Sequence, residues 1–413
     1  MARSRRQRPG PTPAGNESSN PLRRNQFGTG KCQCAYPIPK ECFVVDADSQ
    51  RGSRLFAHRA GSGDAGCVRV DDAGQLIAAV PAILRFIPTR SLVVALVSAA
   101  ADSAASARAI PVVVRVDLDA VTDPARAQEP LELLDTVFRR ENATATFAIV
   151  VDDRPHATAT THLLVALLQS MAVNLAHAWL VPTISAGATY RGLLDGDSDG
   201  TVNDPATSPL ALALALDGVA IHHSRSQLRD LIAVDPQASA ALSPLIDAAV
   251  EHYRGERADA ATADHGATFH RDTAQAVLER IAVVGKAGST SQGLAAVVAA
   301  LRDVVIRDVM LGLTGTSLAA DAQVLWQSVA RASTGRDRAE AAMLCGYDAY
   351  HRGDGVYARI CLEAALQADS EHSIAVLLKA ALDDGEPPAR IAMIADAGRD
   401  IATGLGIDLT TTT

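Results

Sequence analysis

Apolar residues recur with two different periods along this chain. From Ser91 to about Leu194, short apolar runs alternate with helix-period segments; beyond about Ser208 only the helical period persists. The runs Ser91 to Val97, Pro111 to Leu118, Thr146 to Val151 and Trp179 to Ile184 are short, rich in valine and bordered by turn formers, as expected of buried strands. Leu131, Leu133, Leu134, Val137 and Phe138 lie between the second and third runs at helical spacing, and Leu163, Leu164, Leu167, Leu168 and Met171 between the third and fourth. Strand, helix, strand, helix, strand predicts two right-handed crossovers and a largely parallel sheet. The link from Val97 to Ile110 is too short for a crossover and suits an antiparallel neighbour, so the sheet is expected to be mixed. Thr189 to Leu194 adds an edge strand. A further helix-period segment, Leu76, Ile77, Val80, Pro81 and Leu84, leads through Ile87, Pro88 and Arg90 into the first run.

In the last third, Val277, Ile281 and Val284 recur at helix spacing, as do Leu294, Val297, Val298, Leu301 and Val305, and later Ala358, Cys361, Leu362, Ala365 and Leu366. This predicts an all-helical domain of stacked antiparallel hairpins. Near its end "EAALQAD" (363–369) is echoed by "KAALDDG" (379–385), one helix and a turn later. The echo resembles the tetratricopeptide repeat. Tyr350, Gly353, Ala358, Leu362 and Ala365 fall almost where that motif wants its aromatic, turn glycine and small packing residues, with the turn one residue short. The match covers one to one and a half repeats. It implies helical hairpins and leaves open whether they form a peptide groove or pack internally.

At 413 residues the chain exceeds one ordinary domain. The expected layout is a disordered basic tail over 1–68, an α/β domain over 69–235 whose mixed sheet is flanked by helices, and a helical domain over 236–413 with a short disordered C-terminus. Charge follows the same division. The first 70 residues carry 12 Lys+Arg against 5 Asp+Glu, a balance of +7, which leaves −16 on the remainder. A body this acidic repels phosphate backbones, which argues against nucleic-acid binding by the folded part. No apolar stretch approaches the ~18 to 20 residues that span a bilayer, and no apolar region follows the first arginines as a secretory signal requires. A cytoplasmic protein with reduced cysteines is expected.

Two stretches between Asp71 and Asp119, "QLIAAVPAILRFIPTRSLVVALV" and "PVVVRVDLDA", together with "GYDAYHRGDGVYARICLEAAL" and "LLKAALDDGEPP" between Gly346 and Pro388, resemble an actinobacterial family catalogued as domain of unknown function 4192. The middle, around "GTVNDPATSPLALALALDGVAIHHSRSQL", matches more loosely. The resemblance spans nearly the whole chain after residue 70 and supplies no catalytic residue.

Candidate chemistry is sparse. Asp195, Asp197, Asp199 and Gly200 resemble the start of a calcium loop, but position twelve, which should close it with a bidentate acid, is Ala206; a solvated Asp-Gly turn is the competing reading. Asp117, Asp152 and Asp153 lie at strand carboxyl ends, where they could hold Mg2+ or act as an acid/base pair, or simply cap helices. "GTGKC" and "VGKAGST" lack the residues of a phosphate loop, and Ser291 lacks the first glycine of a nucleophile elbow. Cys32, Cys34, Cys42 and Cys67 match no zinc spacing, while Cys345 and Cys361 read as small core residues. His222 and His223 diverge on any backbone, and His265 and His270 read as solvent-facing linker residues. No catalytic, cofactor-binding or metal residue is assigned and no cofactor is expected. The leading expectation is a protein-interaction or ligand-binding module whose helical hairpins meet an unknown protein partner. The alternative is a metal-assisted enzyme at the strand carboxyl ends, using Asp117, Asp152 or Asp153.

Overall fold

The computed structural model describes strands at 36–38 and 43–46, and then residues 68–409 except 71, 100–107, 124, 141, 156, 171–173, 217–218, 264, 385 and 387. The expected tail, with Cys32, Cys34, Cys42 and Cys67, therefore lies outside the described residues apart from those short strands, as does the expected disordered C-terminus.

Three strands, β1 (Tyr36–Ile38), β2 (Phe43–Asp46) and β3 (Val68–Val70), precede helix α1 (Ala73–Leu84). Asp72 caps α1, its carboxylate accepting from the Gln75 amide at 2.8 Å, and satisfies a first-turn N–H that the helix cannot. The sheet core then follows as β4 (Ser91–Ala99), β5 (Arg108–Asp117), β6 (Ala145–Val151), β7 (Leu175–Val181), β8 (Thr189–Gly192) and β9 (Gly200–Thr201). Helices α2 (Leu118–Thr122) and α3 (Gln128–Arg140) lie between β5 and β6, and α4 (Ala157–Ser170) between β6 and β7.

The main sheet has the order β2-β5-β4-β6-β7-β8-β9. It is mixed, as expected, but its balance is the reverse of the expected one. Only β2–β5 and β6–β7 are parallel, whereas β4 pairs antiparallel with both β5 and β6, and β7–β8 and β8–β9 are antiparallel too. The cause is the position of β4. The short link after it forces β5 to return antiparallel, and the next crossover then deposits β6 on the far side of β4. Strands β5 and β6 do run in the same direction, but with β4 between them, so their shared direction produces no parallel ladder. The apolar residues of β4, Leu92 to Val97, are all buried, which suits the centre of the sheet.

After α5 (Pro209–Leu216) and α6 (Arg225–Asp230), the chain is helical throughout: α7 (Pro236–Thr262), α8 (Gly266–Ala287), α9 (Ser291–Leu301), α10 (Val304–Leu311), α11 (Ala319–Ala332), α12 (Gly335–His351), α13 (Gly355–Ala368), α14 (Ser373–Asp384) and α15 (Pro388–Gly404). The hairpin read from the tetratricopeptide-like residues is α12–α13. Gly353 turns it at φ 78°, a left-handed conformation that side chains rarely adopt. Tyr350, Ala358, Leu362 and Ala365 are buried along it. The hairpin is central rather than peripheral: α11 and α14 pack on it, α15 packs on α12, and most of both helices is buried. Its two helices therefore pack internally. The Tyr347 hydroxyl donates to the Ile391 carbonyl (3.0 Å) and accepts from the Ala395 amide (2.8 Å), tying α12 to α15. Cys345 and Cys361 are buried free thiols, as expected of core residues, and burial pushes the Cys345 thiol well up.

His351 ends α12 in a partly buried position. Burial lowers its pKa, and Arg399 and Arg352 lower it further. The folded chain thus keeps the ring neutral while the unfolded chain takes up a proton near pH 6.5. Its contribution to stability is complete above that pH and is lost as pH falls towards the depressed folded pKa. Stability is expected to fall between pH 7 and pH 5 through this residue. Urea denaturation of His351→Gln over that range should show a correspondingly flatter slope than wild type.

Candidate functional site

The register of β4 brings the sheet-end acids together. Ser91 stands opposite both Asp117 on β5 and Val151 on β6, so the residues following those strands share one end of the sheet. Asp117 and Asp152 converge there, joined by Asp119. Each carboxylate is already engaged. Arg154 holds the fully buried Asp152 carboxylate through Nε (2.8 Å) and Nη2 (3.0 Å) and donates Nη1 to Asp119 at 2.8 Å. Arg90 meets the other Asp119 oxygen at 3.0 Å. Asp117 caps α2 by accepting from the Asp119 amide at 2.9 Å, with Arg115 at 3.8 Å. The hydrogen bond to Asp152 raises the Arg154 pKa further. Asp153 is exposed. The cluster therefore behaves as a charge-balanced capping network, in which a metal ion would have to displace arginines. Among the described residues, no group of three His, Cys, Asp or Glu side chains is placed to hold a metal ion.

The Asp195 to Gly200 turn is anchored inward. The Asp197 side chain is 2% exposed; its Oδ1 lies 2.6 Å from His177 Nδ1, and its Oδ2 accepts from the Ala178 and Leu194 amides at 3.0 and 3.2 Å. Asp199 accepts from the Gly192 amide at 2.9 Å. These carboxylates fasten the β7–β8 hairpin instead of facing a shared ion, and Asp195 and Asp199 are both exposed. Asp197→Ala should therefore destabilise the protein by about 2 kcal/mol, the scale of losing hydrogen bonds to a buried charged acceptor. Chemical denaturation with and without Ca2+ checks this, and the loss is expected to be the same in both.

The helical region holds two constellations that no linear motif announces. His270 is not a solvent-facing linker residue: α8 begins at Gly266 and carries it inward, where Nε2 lies 3.2 Å from Asp303. Asp303, at the N-cap of α10, also accepts from the Tyr253 hydroxyl (3.0 Å) and the Val305 amide (3.0 Å), and pairs with Arg257 (3.1 Å). Burial first, and Asp303 second, raise the Tyr253 pKa. His265 stands at the N-cap position of α8 without a side-chain cap bond and is exposed, as expected.

The second constellation lies beside Asp303, where the α9–α10 turn faces the first turns of α12. A small, partly open cleft of about 30 Å³ is walled by Val298, Leu301 and Val304 and ringed by Arg302, Arg307, Arg336, Asp337 and Glu340. Arg302 binds Asp337 through two parallel bonds of 2.8 Å, which raise its pKa. Arg307 bonds Asp308 at 2.7 and 2.8 Å. Glu340 is 8% exposed; Oε2 lies 3.3 Å from His372 Nε2, but Oε1 receives no hydrogen bond, its nearest cation being Arg307 Nε at 3.9 Å. Arg336 is exposed and makes no ion pair or hydrogen bond among the described residues. Thr334, the N-cap of α12, leaves the helix without a side-chain cap. At the sheet end Asp117, Asp119 and Asp152 meet arginines while Asp153 faces solvent; here the buried Glu340 Oε1 has no hydrogen-bond donor, only the more distant Arg307, and Arg336 faces solvent.

A family model described as "Domain of unknown function (DUF4192)" matches residues 74–389. The chain belongs to this family. The DUF4192 match runs from α1 into the first turn of α15, so it takes in the sheet end, Asp303 and the cleft together. No curated protein and no solved structure matches the chain. No described helix is long and apolar enough to cross a membrane. Within this DUF4192 chain, the one local sign of the cleft is the Arg336/Glu340 pair, four residues apart on one helix face. Reading it as a site also required the α9–α10 turn, some thirty residues earlier in the chain.

Proposed function

We propose that this chain is a binding module that recognises a small ligand at the cleft between the α9–α10 turn and α12. The observation that carries this reading is the buried Glu340 Oε1, which receives no hydrogen bond, beside the exposed guanidinium of Arg336. A buried acceptor without a donor costs stability, about 1–3 kcal/mol, and a bound donor recovers it. At the sheet end Asp117, Asp119 and Asp152 are paired with Arg115, Arg90 and Arg154, and Asp153 is exposed, so among the described residues no buried acceptor there lacks a donor. A protein partner is the second form of the same reading, favoured by Val376 and Leu377 on α14, which are 46% and 63% exposed.

A thermal-shift panel of Mg2+, Mn2+, Ca2+, nucleotides and small organic acids, amines and amino acids tests the proposal. A ligand at 100 times its Kd stabilises by ~2.7 kcal/mol. We expect stabilisation by an organic compound in wild type, lost in Arg336→Ala. Stabilisation by Mg2+ or Mn2+ that disappears in Asp152→Asn would instead favour the metal-assisted enzyme.

A further inference from the structure

We infer that the ligand of this cleft is a small zwitterion of the α-amino acid class; the inference rests on the cleft being the binding site, as proposed above. Glu340 Oε1 is buried without a hydrogen bond, so the occupant must present a donor there, and a cationic one is favoured by the carboxylate charge. One helical turn earlier on the same face, the exposed Arg336 and the N-terminus of α12, which has no side-chain cap, offer donors to an acceptor, and an anionic one is favoured by the guanidinium and the helix dipole. Between them lies an apolar wall, on which Val304 is 56% exposed and offers a surface for a small side chain.

The mixed charge selects against simpler ligands. An inorganic anion would satisfy Arg336 but bring negative charge towards Glu340 and Asp337. A simple amine would satisfy Glu340 but meet Arg302, Arg307 and Arg336. A molecule carrying both charges a few bonds apart meets both requirements, with its side chain on Val298, Leu301 and Val304.

Calorimetry on the full chain tests this with three probes of matched side chain: an L-amino acid, its deaminated carboxylic acid and its decarboxylated amine. A set with a branched aliphatic side chain suits the wall. At about 10 mM even a Kd of ~1 mM gives near saturation. The expected result is saturable binding of the amino acid alone, weakened about tenfold in both Arg336→Ala and Glu340→Gln. Arg336 is exposed, so that variant stays informative if Glu340→Gln perturbs the fold. Equal binding of the acid, the amine or inorganic phosphate overturns the inference, as does amino-acid binding that neither substitution weakens. Absence of amino-acid binding overturns it as well. If the wider panel still yields a ligand that Arg336→Ala abolishes, the ligand class is wrong but the cleft stands; if it yields none, both fall.

Discussion

Asp303→Ala is expected to lower the unfolding free energy by about 3–5 kcal/mol, the range for removing one partner from a buried charged network. The Asp303 side chain is 1% exposed and serves four groups from three helices: Tyr253 and Arg257 on α7, His270 on α8 and the Val305 amide in the first turn of α10. Truncation strands a phenol, an imidazole and a helix N–H, each partly buried, at once. Arg257 is 54% exposed and can return to water, so it adds little to the loss. Asp303→Asn keeps an acceptor oxygen and should cost less. Because the carboxylate helps to raise the Tyr253 pKa, that variant should also bring the phenol's titration down. Urea denaturation of both variants, with an ultraviolet titration of Asp303→Asn, checks the two parts separately.

Gly398→Ala is expected to cost about 3 kcal/mol or more, through overpacking that cannot relax by rotating a side chain. A Cβ on Gly398 would stand 2.4 Å from the Asp308 carbonyl oxygen and 2.5 Å from the Gly312 nitrogen, both backbone atoms. The reciprocal holds for Gly312, whose Cβ would stand 2.8 Å from the Arg399 nitrogen. Helices α10 and α15 thus cross with their backbones in contact, and Arg399 reinforces the crossing by donating to the Gly312 and Thr314 carbonyls at 3.1 Å each. Any Cβ there must push the helices apart. Thermal denaturation should show a large loss for Gly398→Ala and a similar one for Gly312→Ala. The double variant should lose less than the sum, because the first substitution already separates the pair.

The elements were legible where their own period decided them. The runs at Ser91, Pro111 and Thr146 needed only continuous burial to read as strands, and Gly353 marked its turn because few other residues tolerate that backbone. Sheet direction was not legible, because an apolar run records burial and not which neighbour provides it; the central place of β4 decided every pairing around it. The alternating carboxylates from Asp195 to Asp199 illustrate the same limit. Their spacing is that of a cation loop, but spacing cannot show that Asp197 turns inward to His177. His270 was missed because a polar stretch before it masked the start of α8, and its partner Asp303 lies 33 residues away. The cleft depends likewise on a tertiary meeting, between the α9–α10 turn and α12, with only the Arg336/Glu340 spacing visible locally.

Hydrogen–deuterium exchange on the full chain, with and without the compound that most stabilises it in the panel, tests the location of binding most directly. Binding at the cleft predicts slowed exchange in the α9–α10 turn and the first turns of α12, residues 298–307 and 335–341, with the sheet end unchanged. Protection confined to residues 117–123 and 152–157, at the carboxyl ends of β5 and β6, would contradict it and place function on the sheet.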